Sequence, residues 1–145
     1  MLFGEEPQRV MGLIERDRDS GVDILTSLML DYPSGQAIGT CSTRMTPYQR
    51  VHIFGTRRRL EIEIPFNAPP DRPCRMWTDG GELFGGDREE IVIPTCDQYT
   101  VQGDAFARAI IEDTDVPYPL EMSVRNMQII DAVAQSASTG AWVTL

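Results

Sequence analysis

The sequence predicts an α+β domain: an open-faced, largely antiparallel β-sheet of about six or seven strands, with two C-terminal helices on one face. Three observations carry this. Up to Thr95, apolar residues recur at period two in short runs separated by turn residues. Beyond Thr95 the period becomes helical, and strands first with helices last is the order of a sheet with helices segregated to one side. At 145 residues and 41% hydrophobic, the chain has enough material for a single domain over 1–145, with a core that needs neither disulfides nor a structural metal.

The first run, RVMGLIE from Arg9 to Glu15, reads as a strand. After the polar turn RDRDSG, two runs flank Pro33-Ser34-Gly35 as a hairpin. Ile24, Thr26, Leu28 and Leu30 share one face at period two, with Leu25, Ser27, Met29 and Asp31 on the other. Ala37, Gly39, Cys41 and Thr43 are small and leave room for a helix or a second subunit to approach the sheet. Tyr48 to Pro73 is the organising hairpin. Its greasy face carries Val51, Ile53, Leu60, Ile62 and Ile64, and its mixed face Arg50, His52, Phe54, Arg59, Glu61 and Glu63. CRMWTD (74–79) and EEIVIP (89–94) add two strands. Their connection has glycines at 80 and 85, the start of a phosphate-loop pattern, but Gly86 and Asp87 stand where Lys and Ser/Thr are required, so a flexible hairpin loop is the reading.

Asp97 is placed to cap a helix running to about Glu112, with Val101, Ala105, Phe106, Ala109 and Ile110 as its stripe. Pro117 and Pro119 break the chain. A second helix from about Leu120 to Ser138 has the stripe Leu120, Val124, Met127, Ile130, Ala134 and Ala137, and Gly140 ends it. Two such helices cover one side of the sheet, which leaves the other side for solvent, a ligand or another copy of the chain.

The formal charge of −9, from 22 acidic and 13 basic residues, disfavours nucleic acid and anionic lipid as partners. No apolar run approaches the ~20 residues that span a bilayer, and the first residues lack a basic leader with an apolar segment, so the expectation is a cytoplasmic protein without membrane association. Cys41, Cys74 and Cys96 are odd in number and widely spaced. They read as reduced thiols, with no zinc site.

Catalytic chemistry finds little support in the residues. His52 lies beside Glu61 and Glu63, where a carboxylate could orient it as a base, but a lone histidine on a mixed strand face fits an interface or surface role better. Asp31, Asp79 and Asp87 are explained by turns. Arg57, Arg58 and Arg59 read as a solvated hairpin tip, and Ser42 and Ser123 lack a nucleophile setting. Tyr99, at the join of sheet and helix after Asp97 and Gln98, could hydrogen-bond a hydroxylated ligand.

Several stretches in order carry a resemblance: FGEEP at 3–7, YPSG at 32–35, PYQRVHIFGT at 47–56, PFNAPPDRP at 65–73, DQYTVQGDAFARAI at 97–110 and NMQIIDAVAQSASTG at 126–140. Together they resemble the C-terminal domain of the Gfo/Idh/MocA (glucose-fructose oxidoreductase/inositol dehydrogenase) family over nearly the whole chain. Arg58 is a departure, standing where the family's hairpin often has Gly.

The resemblance implies a parent NAD(P)-dependent oxidoreductase acting on a sugar, polyol or related hydroxy compound, built from an N-terminal Rossmann domain and this sheet domain. The chain lacks a GxGxxG turn and the family's EKP segment, and the resemblance places its start just beyond the family's Asp/His helix, at Leu2-Phe3-Gly4. It is therefore expected to bind no cofactor alone, with NAD(P) belonging to the full-length parent, and to be inactive alone. The expected partners are the parent's Rossmann domain, a sugar-like small molecule and a second copy through the open sheet face. Tyr99, Gln98, Phe66 and Asn67 are the substrate-side candidates; His52, Arg50, Phe54, Glu61 and Glu63 are the interface candidates. No catalytic or metal residue is assigned. The alternative is a stand-alone dimerising or ligand-binding module without redox activity.

Overall fold

The computed structural model describes residues 3–84 and 86–145. Leu2, at the start inferred from the resemblance, and Gly85, in the phosphate-loop pattern, lie outside the described residues. The fold is α+β: among the described residues there are eight antiparallel strands, divided equally between two sheets, and two helices. The expected six or seven strands in one sheet become two sheets of four. The eighth strand is only two residues long, which is too short to leave a periodic signal. Residues 1–46 with 118–145 form one compact unit, and residues 47–117 a second.

In the first unit, β1 (Arg9–Arg16), β2 (Asp23–Tyr32), β3 (Gly35–Ser42) and, later in the chain, β8 (Val143–Thr144) pair in the order β3-β2-β1-β8. The register puts Val10 opposite Leu30 and Gly12 opposite Leu28. That face meets the helix α2 (Leu120–Thr139), and Val10, Ala132 and Val133 form its core, joined by Leu28, Leu30, Ile129 and Val143. On the opposite face Met29 and Ile38 are exposed, Ile38 at 80%, as is neighbouring Leu13 at 73%.

Gly12 sets how closely α2 approaches. A Cβ there would lie 2.5 Å from the Val133 carbonyl oxygen and 2.8 Å from its Cγ1. The fully buried Ser136 uses the same closeness. Its Oγ accepts the Gly12 N–H at 3.0 Å and donates to the Ala141 carbonyl at 2.6 Å. It thus satisfies a strand N–H beyond the short β8 pairing. Gly140, at φ 67°, turns the chain out of α2.

The stripe expected on α2 is displaced. Leu120, Val124, Met127 and Ile130 are exposed and Ala134 and Ala137 half-buried, while Ala132, Val133 and Ser136 are buried. The reason is steric: where the helix is held this close to β1 the nearest contact is made by Ala132, Val133 and Ser136, with Ile129 packed beside them. At the β2–β3 turn, Phe3 stacks on Tyr32 at 4.2 Å, and Glu5 accepts hydrogen bonds from the Ser34 N–H and hydroxyl.

In the second unit, β4 (Val51–Phe54), β5 (Arg59–Ile62), β6 (Cys74–Asp79) and β7 (Glu89–Ile93) pair in sequence order. The greasy row Val51, Ile62, Met76, Ile91 and the mixed row His52, Glu61, Trp77, Glu90 fall on opposite faces, as the alternation requires. The 55–58 turn closes through Gly55 N–H to the Arg58 carbonyl at 2.9 Å. Among the described residues only Asp113 is a non-glycine with positive φ, so Arg58 stands in that turn without backbone strain. The helix α1 (Gln98–Glu112) is capped by Asp97, whose side chain accepts the Tyr99 N–H and the Thr100 hydroxyl. Of its expected stripe only Ala109 is buried, with Ala105 half-buried and Val101, Phe106 and Ile110 exposed.

Replacing Gly12 with Ala pushes a methyl into the backbone of α2 and is expected to cost about 1–3 kcal/mol. Ser136→Ala strands a buried N–H and is expected to cost about 1–3 kcal/mol. Because both act on one contact, urea unfolding of the double variant should show a loss smaller than the sum of the two.

Candidate functional site

The polar face of the second sheet is built by strand parity. One row runs His52, Glu61, Trp77, Glu90 across all four strands, and the next runs Phe54, Arg59, Asp79. Arginines fill the spaces around Trp77. The guanidinium carbons of Arg88, Arg75 and Arg50 lie 4.7, 5.3 and 5.6 Å from its ring centroid. The indole N–H donates to Glu90 at 3.0 Å.

The carboxylates on this face are held by arginines. Glu61 takes Arg88 at 3.1 Å and Arg50 at 3.5 Å. Glu63 takes Arg75 through two nitrogens, at 2.6 and 3.0 Å, and this forked pair holds the Glu63 carboxyl below its ordinary value. Asp79 is 3% exposed and accepts Arg59 Nε at 2.5 Å and the Gly81 N–H at 3.0 Å. The Arg59 hydrogen bond lowers its pKa against the opposing effect of burial. His52 lies opposite Glu61 and stacks on Phe54 at 6.1 Å, but the carboxylate that would orient it as a base is engaged by two arginines.

Among the described residues of this unit, two clefts border the candidate residues. The first, of about 240 Å³, is lined by His52, Phe54, Arg59, Leu60, Glu61, Trp77, Asp79 and Arg88. The second, of about 350 Å³, is lined by residues 47–49, 63–64, 67, 69 and 72. Three of the interface candidates, His52, Phe54 and Glu61, therefore meet in the first cleft, and Arg50 joins them through Glu61. Glu63 and the substrate-side candidate Asn67 border the second.

Phe66 is exposed, and its N–H and that of Asn67 donate to Gln49 Oε1, both at 3.3 Å. Gln98 and Tyr99 start α1, Tyr99 exposed, and border neither cleft. Sequence reasoning missed Arg75, Trp77 and Arg88 and assigned Asp79 to a turn. The alternation Arg75, Trp77, Asp79 in CRMWTD was the available signal, because register against β5 carries those side chains to the mixed face. The three cysteines are free, and no metal-binding cluster occurs among the described residues.

The whole chain, residues 1–145, matches the family model for the C-terminal alpha/beta domain of the oxidoreductase family. The chain belongs to the Gfo/Idh/MocA oxidoreductase family. An uncharacterized oxidoreductase of Rhizobium meliloti is 37% identical over 147 residues, covering 100% of this chain and 44% of the relative. A D-xylose 1-dehydrogenase (NADP(+)) of Haloferax volcanii is 37% identical over 149 residues, covering 99% and 43%. This Gfo/Idh/MocA chain thus spans less than half the length of the curated relatives it matches. Among solved structures, an aldose-aldose oxidoreductase from Caulobacter crescentus, complexed with glycerol, shares the fold with a TM-score of 0.82. Its identity is 21%, covering 99% of this chain and 43% of that one. A 3-ketoreductase from Actinomadura kijaniata in complex with NADP gives a TM-score of 0.72 at 21% identity, covering 90% and 41%.

The Asp79 pairing sets an acid limit on the second sheet. A depressed folded-state pKa contributes stability that is present above the ordinary value of 3.8 and is lost as pH falls through the depressed one. NMR titration of the Asp79 carboxyl should give a midpoint below 3.8, and Arg59→Gln should raise it, leaving burial opposed only by weaker partners. An unchanged midpoint in that variant contradicts the assignment.

Proposed function

We propose that this chain acts as one C-terminal domain of an NAD(P)-dependent oxidoreductase whose substrate is a sugar, polyol or related hydroxy compound. It supplies the substrate-side wall and the subunit interface, and it is inactive by itself. The observation that supports this most directly is the family match along all 145 residues, together with two similar proteins whose names specify a xylose dehydrogenase and an aldose oxidoreductase. NADP appears in the names of a curated relative and a structural neighbour, and the same class of cofactor is proposed for the whole protein.

The division of labour has a physical basis. Hydride transfer needs nicotinamide and substrate in near contact, and a dinucleotide's pyrophosphate is commonly held at a free helix N-terminus. Here the N-terminus of α1 is already occupied by the Asp97 carboxylate, and the first turn of α2 carries Glu121. Both disfavour a phosphate. The cofactor therefore belongs to the parent's Rossmann domain, the partner this chain is proposed to work with. Tyr99, Gln98, Phe66 and Asn67 are the proposed substrate-side residues.

His52, Arg50, Phe54, Glu61 and Glu63 are the proposed contacts to a second copy. Their face carries four arginines, 50, 59, 75 and 88, against Glu61, Glu63, Asp79 and Glu90, whereas the chain as a whole carries −9. A locally balanced face lets two strongly acidic copies meet with the least repulsion. The protein is proposed to work in the cytoplasm. No helix among the described residues is long and apolar enough to cross a membrane.

The whole protein, assayed with aldoses and polyols, should form NADH or NADPH, and the 145-residue chain should form neither. Sedimentation of the chain should show a dimer that His52→Asp with Phe54→Asp converts to monomer. A monomer at high concentration without substitution contradicts the interface.

A further inference from the structure

We infer that the outer side of α2 is a docking surface for the preceding part of the parent protein, which meets it with an apolar segment carrying at least one Lys or Arg. The inference rests on the reading that this chain is one domain of a longer protein, and it adds where on this chain the other part attaches.

The helix α2 is apolar on two sides. Its inner side sets Ala132, Val133 and Ser136, with Ile129, against β1. At about 3.6 residues per turn, Leu120, Val124 and Met127 fall on roughly the opposite side, and Ile130 borders them. Leu120, Val124, Met127 and Ile130 are 73, 51, 55 and 57% exposed. A helix lying between a core and water carries a single apolar stripe, whereas apolar residues on both sides are the pattern of a helix covered on both. Apolar residues scattered over a surface need no cover, but these four follow one line along the helix and form a continuous seam.

The charges along the seam select what covers it. Asp131 continues the line of Leu120, Val124 and Met127, at spacings of 4, 3 and 4 residues, and Glu121 flanks its start. Both acids are exposed, and among the described residues neither has an ion-pair partner. A purely apolar cover would bury the Asp131 carboxylate unpaired, which is strongly unfavourable, so the cover brings a cation to it. A second copy is the poorer occupant. Two-fold pairing of α2 on α2 would gather Glu121 and Asp131 of both copies into one contact between chains of charge −9, and the basic residue of α2, Arg125, is engaged by Gln128. The preceding part of the parent is the occupant that the relatives supply, because this chain matches as a C-terminal domain and covers only 44 and 43% of the two curated proteins.

Peroxide oxidation of the methionines, read by peptide mass spectrometry, tests this without any substitution. In the 145-residue chain, Met127 and the 60% exposed Met45 should oxidise at similar rates. In the whole protein, Met127 should oxidise more slowly by about tenfold or more. Equal Met127 rates in the two proteins would overturn the surface. Protection of Met127 already in the 145-residue chain would overturn it too: if protection grows with concentration a second copy is the cover, and if it does not the chain covers itself. Asp131→Lys should lower the urea midpoint of the whole protein and leave that of the 145-residue chain unchanged, and a whole protein indifferent to the substitution would overturn the basic cover. Redox activity is read separately. A whole protein that forms NADH or NADPH with Met127 unprotected loses this surface and keeps the proposed function, and one that forms neither with Met127 protected keeps the surface and loses the function.

Discussion

The close approach of α2 to β1 at Gly12 is the constraint on which the first unit depends. It joins residues that are 124 apart in sequence through one buried hydroxyl, with Ser136 Oγ held between the Gly12 N–H and the Ala141 carbonyl. Without room at Gly12, Val133 and Ala132 could not reach Val10, and the C-terminal segment could not return to pair Val143 with Val10. Residues 1–46 and 118–145 thereby close into one body. The second unit depends instead on strand parity, which gathers its charges and its tryptophan on one face and its aliphatic residues on the other.

Seen physically, the sequence stretches that resemble the family are places where the chain touches itself. FGEEP and YPSG meet through the Phe3–Tyr32 stack and the Glu5–Ser34 hydrogen bonds. PYQRV and PFNAP meet where Gln49 accepts the Phe66 and Asn67 N–H groups. DQYT is a helix cap, and the NMQIIDAVAQSASTG stretch carries Ala132, Val133 and Ser136 to the sheet. Each motif is thus explained by a contact that substitution would break, which is why several short stretches in order specify a fold that none specifies alone.

Much of this was legible in the residues. Period-two runs bounded by turn residues located seven strands, and Asp97, Pro119 and Gly140 bounded both helices. Three features were not legible. The two-residue β8 is too short to carry a period. The contact face of α2 is centred on Ala132, Val133 and Ser136, with Ile129 beside them, rather than on Leu120, Val124, Met127 and Ile130, because close packing at Gly12 limits bulk there and a stripe argument weights bulk. The cluster around Trp77 needs the β5–β6 register, which pairs Glu61 with Trp77 and Arg59 with Asp79, and register is a property of two strands together.

On the function proposed above, this chain contributes the substrate side of the chemistry and leaves the nicotinamide to the rest of the protein. Fluorescence titration of NADPH, and of NADH, with the purified chain addresses that directly. The account predicts no saturable change with either nucleotide, while the whole protein gives a saturable one. Saturable binding by the 145 residues alone would contradict it.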